Sequence, residues 1–134
     1  MKVTAIIEWW DDGTVSAYVP DFDRYGFNGQ GKSVNEAKAS MESCLEEYKE
    51  MFAEKGEPLP SELEGLEFEY KYDIPSFFDC FKFINVSAFA EYAGINPSLM
   101  RQYKNRLAFA SEAQKAKIAK AIQRAGAAMV SAKL

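Results

Sequence analysis

The sequence predicts an α+β protein. A small β-β-β-α-β domain comes first, and an all-α domain containing a helix-turn-helix follows. Three observations predict it. Short β-branched and aromatic runs bounded by turn residues fill the front, and a single long three-and-four-residue apolar stripe begins at Ser33. The charge also reverses near Ser76. From Ser76 onward there are nine basic and three acidic residues, a net of about +6, against seven basic and 17 acidic before it, about −10.

The first run, Lys2 to Trp9, reads as a strand. Asp11-Asp12-Gly13 is a turn signal. Thr14 to Val19 alternates Val15, Ala17 and Val19 against Ser16 and Tyr18, which completes a hairpin that Pro20-Asp21 ends. Tyr25 to Gln30 is a third short strand interrupted by glycines. Ser33 and Glu36 make a capping-box signature. The helix they start runs to about Lys55, with Val34, Ala37, Met41, Leu45, Tyr48 and Phe52 along one side and five glutamates along another. Gly56 is its expected C-terminal cap. Leu66 to Tyr72 alternates aromatic and charged residues and is the last strand.

Ile74-Pro75-Ser76 is the expected hinge, which divides the chain into residues 1–73, a connecting segment 74–85 and residues 86–134. Phe77, Phe78, Phe81 and Phe83 crowd that segment. They either plug the small core of the second domain or form a dimer contact.

The helix-turn-helix is built from Val86 to Arg106. Ser87 is the expected N-cap of its first helix, with Phe89, Ala90 and Ala93 facing the second. Gly94 supplies the positive φ of a tight turn, and Ile95 plugs it. Asn96-Pro97-Ser98 opens the second helix, with Pro97 where a missing N–H costs nothing. Leu99, Met100 and Tyr103 take its buried side, leaving Arg101, Gln102, Asn105 and Arg106 outward. Arg grips guanine and Gln or Asn grips adenine, each with two bonds, so this helix is a candidate reader of the major groove of double-stranded DNA. Lys104 and Arg106 are expected on phosphate, and Ser98 on a phosphate or a base edge. Proteins of this kind bind two half-sites, so a homodimer or higher homo-oligomer is expected.

Ser111 and Gln114 start the last helix with another capping box. It places Ile118, Ile122, Ala125 and Met129 on one face and Lys117, Lys120 and Arg124 on another. That basic face either follows the DNA backbone or is simply solvated.

Other chemistry finds little support. There is no histidine, no Gly-rich phosphate loop and no nucleophile paired with a base. Asp11, Asp12, Asp21 and Asp23 are the only candidates for a metal-holding carboxylate cluster, and turns favour Asp for its own backbone bonds. The expectation is a non-enzyme without metal or cofactor. Cys44 and Cys80 cannot make a disulfide framework, apolar runs are too short to span a membrane, and no signal-peptide layout opens the chain. A reducing cytoplasm is the expected location.

The front also carries a family pattern. Ala17-Tyr18-Val19-Pro20-Asp21-Phe22, the glycines after it, the helix start Ser33-Val34-Asn35-Glu36-Ala37 and the loop Glu57-Pro58-Leu59-Pro60 together resemble the HicB antitoxins of type II toxin–antitoxin systems. The resemblance spans about residues 3–73. Ala93 to Leu99, through Tyr103, is similar to the C-terminal helix-turn-helix that some HicB-like proteins carry. Tyr25-Gly26-Phe27 and Lys32 depart from the usual pattern. The resemblance implies a reduced, non-catalytic RNase H-like front domain. It implies a HicA-like mRNA-cleaving toxin as partner, and repression of the operon by operator binding. A one-component transcription regulator with a small-molecule-sensing front domain is the alternative.

Overall fold

The computed structural model describes residues 1–22 and 24–134. Strand β1 (Lys2–Trp9) lies between β2 (Val15–Tyr18) and β4 (Glu67–Tyr72), with β3 (Asn28–Gly31) outside β2, so the sheet order is β3-β2-β1-β4. β2 pairs antiparallel with β1 and β3, whereas β4 runs parallel to β1, Lys2 facing Glu67 and Ile7 facing Tyr72. A parallel neighbour requires a crossover, and helix α1 (Val34–Glu54) lies in that connection.

One sheet face is sealed. Ala5 and Ile7 of β1 and Val15 and Ala17 of β2 are buried with Ala37, Met41 and Leu45 of α1. The rest of the expected α1 stripe, Val34, Tyr48 and Phe52, packs half-buried against the same core. α1 sits closest over β3, and glycine is what permits it. A Cβ at Gly29 would fall on the Ala37 carbonyl oxygen and 2.7 Å from the Met41 nitrogen. Ser33 caps α1 by accepting the Glu36 N–H at 3.1 Å, and the Glu36 carboxylate accepts the Lys32 N–H at 2.6 Å. Gly56 follows with φ of 67°, as a C-terminal glycine should.

Two expectations for this part change. The third strand starts at Asn28 rather than Tyr25. The Gly26 carbonyl instead accepts the Tyr48 hydroxyl at 3.0 Å, and the Tyr25 ring stands edge-on to Tyr48 at 5.4 Å, so α1 holds this stretch as a loop. The expected hinge at residues 74–76 is the first turn of a helix, α2 (Ile74–Cys80). Asp73 Oδ1 accepts the Ser76 N–H at 2.8 Å, Pro75 sits where no helical N–H is needed, and buried Ser76 accepts the Trp9 N–H at 3.1 Å. Phe78 is buried in this helix. The compact units therefore divide after Cys80, and Phe77 and Phe78 belong to the first.

The second unit, residues 81–134, holds α3 (Val86–Ala93), α4 (Pro97–Lys104) and α5 (Glu112–Ser131). Phe89, Ala90, Ile95, Met100, Tyr103, Ile118 and Ala121 are its buried apolar residues. Phe83 is 77% exposed and plugs no core. Met129 is 62% exposed, so the apolar stripe of α5 outruns its cover. Among the described residues no helix is long and apolar enough to cross a membrane.

Candidate nucleic-acid interface

The turn between α3 and α4 is made as its residues dictate. Gly94 adopts the left-handed region at φ 75° and closes α3 through its N–H. Ile95 is buried beneath it, its N–H donating to the Ala90 carbonyl at 2.9 Å. Asn96 caps α4, its Oδ1 accepting the Ser98 and Leu99 N–H groups at 2.9 and 3.3 Å. The α3 cap is Asn85, not Ser87: Asn85 Oδ1 accepts the Ala88 N–H at 3.0 Å. Ser87 is thereby freed for another role.

Met100 and Tyr103 are buried and Leu99 is half-buried, which turns the other side of α4 outward. Ser98, Arg101, Gln102, Lys104, Asn105 and Arg106 are all exposed. Ser98, Arg101, Gln102 and Asn105 fall at steps of three and four, so they share one face of α4. Asn105 is the C-cap of that helix, and Lys104 lies in its last turn. Arg106 follows at φ 61°, a strained position for a residue with a side chain. The Leu107 N–H reaches the Gln102 carbonyl at 2.9 Å and closes the helix end.

Arg101 is tied on that face by two side-chain hydrogen bonds. Its Nη1 donates to Ser87 Oγ at 2.7 Å and its Nη2 to Ser98 Oγ at 3.1 Å. Two helices therefore set the plane of one guanidinium, and the fork keeps further N–H donors for a ligand. Sequence reasoning named Ser98 and Arg101 but missed Ser87 in this role. The signal was there: an N-cap Asn two residues before it leaves the serine redundant as a cap.

The basic residues of α5 divide. Lys117 and Lys120 are exposed. Arg124 is engaged within the unit, its Nη2 donating to the Tyr92 carbonyl at 3.1 Å and its guanidinium lying 4.9 Å from the Tyr92 ring centre. Residues 81–134 carry nine basic and two acidic residues, a net of about +7, against about −11 for residues 1–80 with seven and 18.

The expected carboxylate candidates lie elsewhere. Asp11, Asp12 and Asp21 sit in turns, and Asp23 is outside the described residues. Asp12 accepts the Thr14 N–H at 2.8 Å, and that bond holds its carboxyl below the usual range. Among the described residues no three His, Cys, Asp or Glu side chains gather to hold a metal ion. Burial pushes the Cys80 thiol up, away from the reactive thiolate. Compared with protein-family models, curated proteins and solved structures, the chain gives no match in any of the three.

Proposed function

We propose that this chain is an antitoxin of the HicB type that also represses its own operon. In this reading α4 enters the major groove of operator DNA, and residues 1–80 bind and neutralise a HicA-like mRNA-cleaving toxin. The observation that carries it is the exposed face of α4. Four hydrogen-bonding side chains, Ser98, Arg101, Gln102 and Asn105, line one side of a helix held by a glycine turn in a unit of about +7.

Arg101 and Gln102 read base edges, Ser98 and Asn105 contact bases or phosphate, and Lys104 and Arg106 take phosphates. Two copies of the chain read two half-sites about one helical turn apart. The front unit supports the toxin half of the reading by its charge, since a protein that grips RNA is basic where it does so. A small mixed sheet under one long helix is also the arrangement a reduced RNase H-like domain would have. The chain performs no catalysis of its own in this account and works in the cytoplasm without cofactor.

The test uses duplexes selected from a randomised library by the full-length protein. Arg101→Ala weakens binding to the selected duplex by about 1–3 kcal/mol and leaves non-specific binding largely intact. Unchanged affinity removes Arg101 from the interface, and failure to select any sequence defeats the DNA-binding reading. For the toxin half, the gene beside this one is expected to encode a short basic protein whose RNA cleavage the purified chain suppresses.

A further inference from the structure

The sheet face opposite α1 is lined by Thr4, Ile6 and Glu8 of β1, Ser16 and Tyr18 of β2, and Asn28 and Gln30 of β3. All are half-buried or exposed. Glu8, Trp10, Ser16, Tyr18, Asn28 and Gln30 line a groove of about 430 Å³ that continues round the β3 edge, past Gly29, to Ser40 of α1.

Two side chains in it are held by cross-strand hydrogen bonds and still present surface to a ligand. Trp10 is 55% exposed, yet its indole N–H donates to Ser16 Oγ at 2.9 Å, so the ring is tethered while its surface stays in water. A large aromatic held this way contributes little to a core and much to an encounter. Glu8 is half-buried and accepts the Tyr18 hydroxyl at 3.2 Å. Among the described residues no lysine or arginine pairs with it. Burial, and then the Glu8 and Asp73 carboxylates, push the Tyr18 phenol above its ordinary value.

We propose that this groove receives an arginine or lysine side chain of a basic partner protein, the cation lying against the Trp10 ring and the Glu8 carboxylate. The chemistry selects that occupant. An aromatic face beside a carboxylate attracts a cation through quadrupole and charge together. The Asn28 and Gln30 amides offer carbonyl acceptors to the remaining N–H groups of a guanidinium. Anionic ligands are repelled by Glu8, and the net charge of about −11 on residues 1–80 draws basic proteins to this unit. The inference rests on reading the front unit as the partner-binding part, and it locates the contact that reading leaves open.

The probe is a decapeptide of alternating arginine and glycine, titrated into the full-length chain by calorimetry, with a glutamate–glycine decapeptide as control. The arginine peptide binds and the glutamate peptide does not. Glu8→Gln and Trp10→Leu each weaken binding by about five-fold. Glu47→Gln removes the same charge from the exposed side of α1 and leaves the affinity within about two-fold. Trp10 is exposed, so its variant keeps the reading available if Glu8→Gln disturbs the fold. Equal loss with Glu8→Gln and Glu47→Gln overturns the proposal, because attraction is then diffuse. No loss with either groove variant also overturns it. A toxin suppressed equally well by wild type and by both groove variants defeats this inference while the antitoxin reading stands.

Discussion

Residues 1–80 and residues 81–134 reach a folded state by opposite routes. The first unit closes through distant pairings: Lys2 to Glu67 and Ile7 to Tyr72 along a parallel ladder, Trp9 to Ser76, and a helix seated over Gly29 and Gly31. The second closes through neighbours: caps three residues away, a left-handed glycine, and three helices around Met100 and Tyr103. Their charges are opposite too, about −11 against about +7. One chain of net charge −4 thus carries two regions of opposite sign, and the proposed function assigns each a partner of the opposite charge.

The contrast breaks most visibly in the cores. Met100 is fully buried, and Met100→Ala is expected to cost the second unit about 2–5 kcal/mol. Residues 1–80 should keep their melting transition, so calorimetry of the variant shows one transition lowered and one unmoved. A single merged transition shifted as a whole argues that the units are not independent.

Gly29→Ala attacks the other side. A Cβ there meets the backbone of α1 at Ala37 and Met41, which cannot yield as a flexible side chain would. A loss of about 1–3 kcal/mol is expected in the first unit only, read by denaturant unfolding followed at Trp9 and Trp10.

Much of this was legible beforehand because it is local. The Ser33, Asn96 and Ser111 caps, the positive φ at Gly94 and the exposure of Ser98, Arg101, Gln102 and Asn105 follow from residues within one or two turns. What stayed hidden depends on distant partners. Buried Ser76 accepts the Trp9 N–H from 67 residues away, and the helix α2 stands where a hinge is expected. Tyr25 left the sheet because Tyr48 lies above it. Ser87 is not the cap of α3, and the partner of its hydroxyl, Arg101, lies 14 residues away. Arg124, on the expected basic face of α5, is exposed and also bonds the Tyr92 carbonyl 32 residues away.

Ser87→Ala sharpens the comparison at the candidate interface. Loss of one of the two hydroxyls that orient Arg101 should weaken binding to the selected duplex by about 0.5–1.5 kcal/mol, less than Arg101→Ala. Ser87→Thr keeps the hydroxyl and should restore it. Equal specific and non-specific losses in Ser87→Ala indicate a general effect on the unit instead.

The smallest effect is alkaline. Burial, and then the Glu42 carboxylate, push the Tyr70 phenol up to about 12, and Tyr18 is raised as well. A group whose folded pKa is raised lends stability below its unfolded value, near pH 10, and that contribution disappears as pH climbs towards 12. Both phenols lie in residues 1–80, so the first unit should lose stability across pH 10–12 through these groups. Tyr70→Phe should flatten that slope, and an unchanged slope would assign the alkaline loss to other groups.

The central claim is that the basic unit meets DNA through one face of α4 while the acidic unit stays clear. Isotope-labelled full-length protein titrated with its selected duplex at physiological salt tests it directly by amide shift mapping. The account predicts changes concentrated over residues 86–106 and strongest at Ser98, Arg101, Gln102 and Asn105, with the sheet of residues 1–80 unperturbed. Changes centred on that sheet, or none along α4, contradict it.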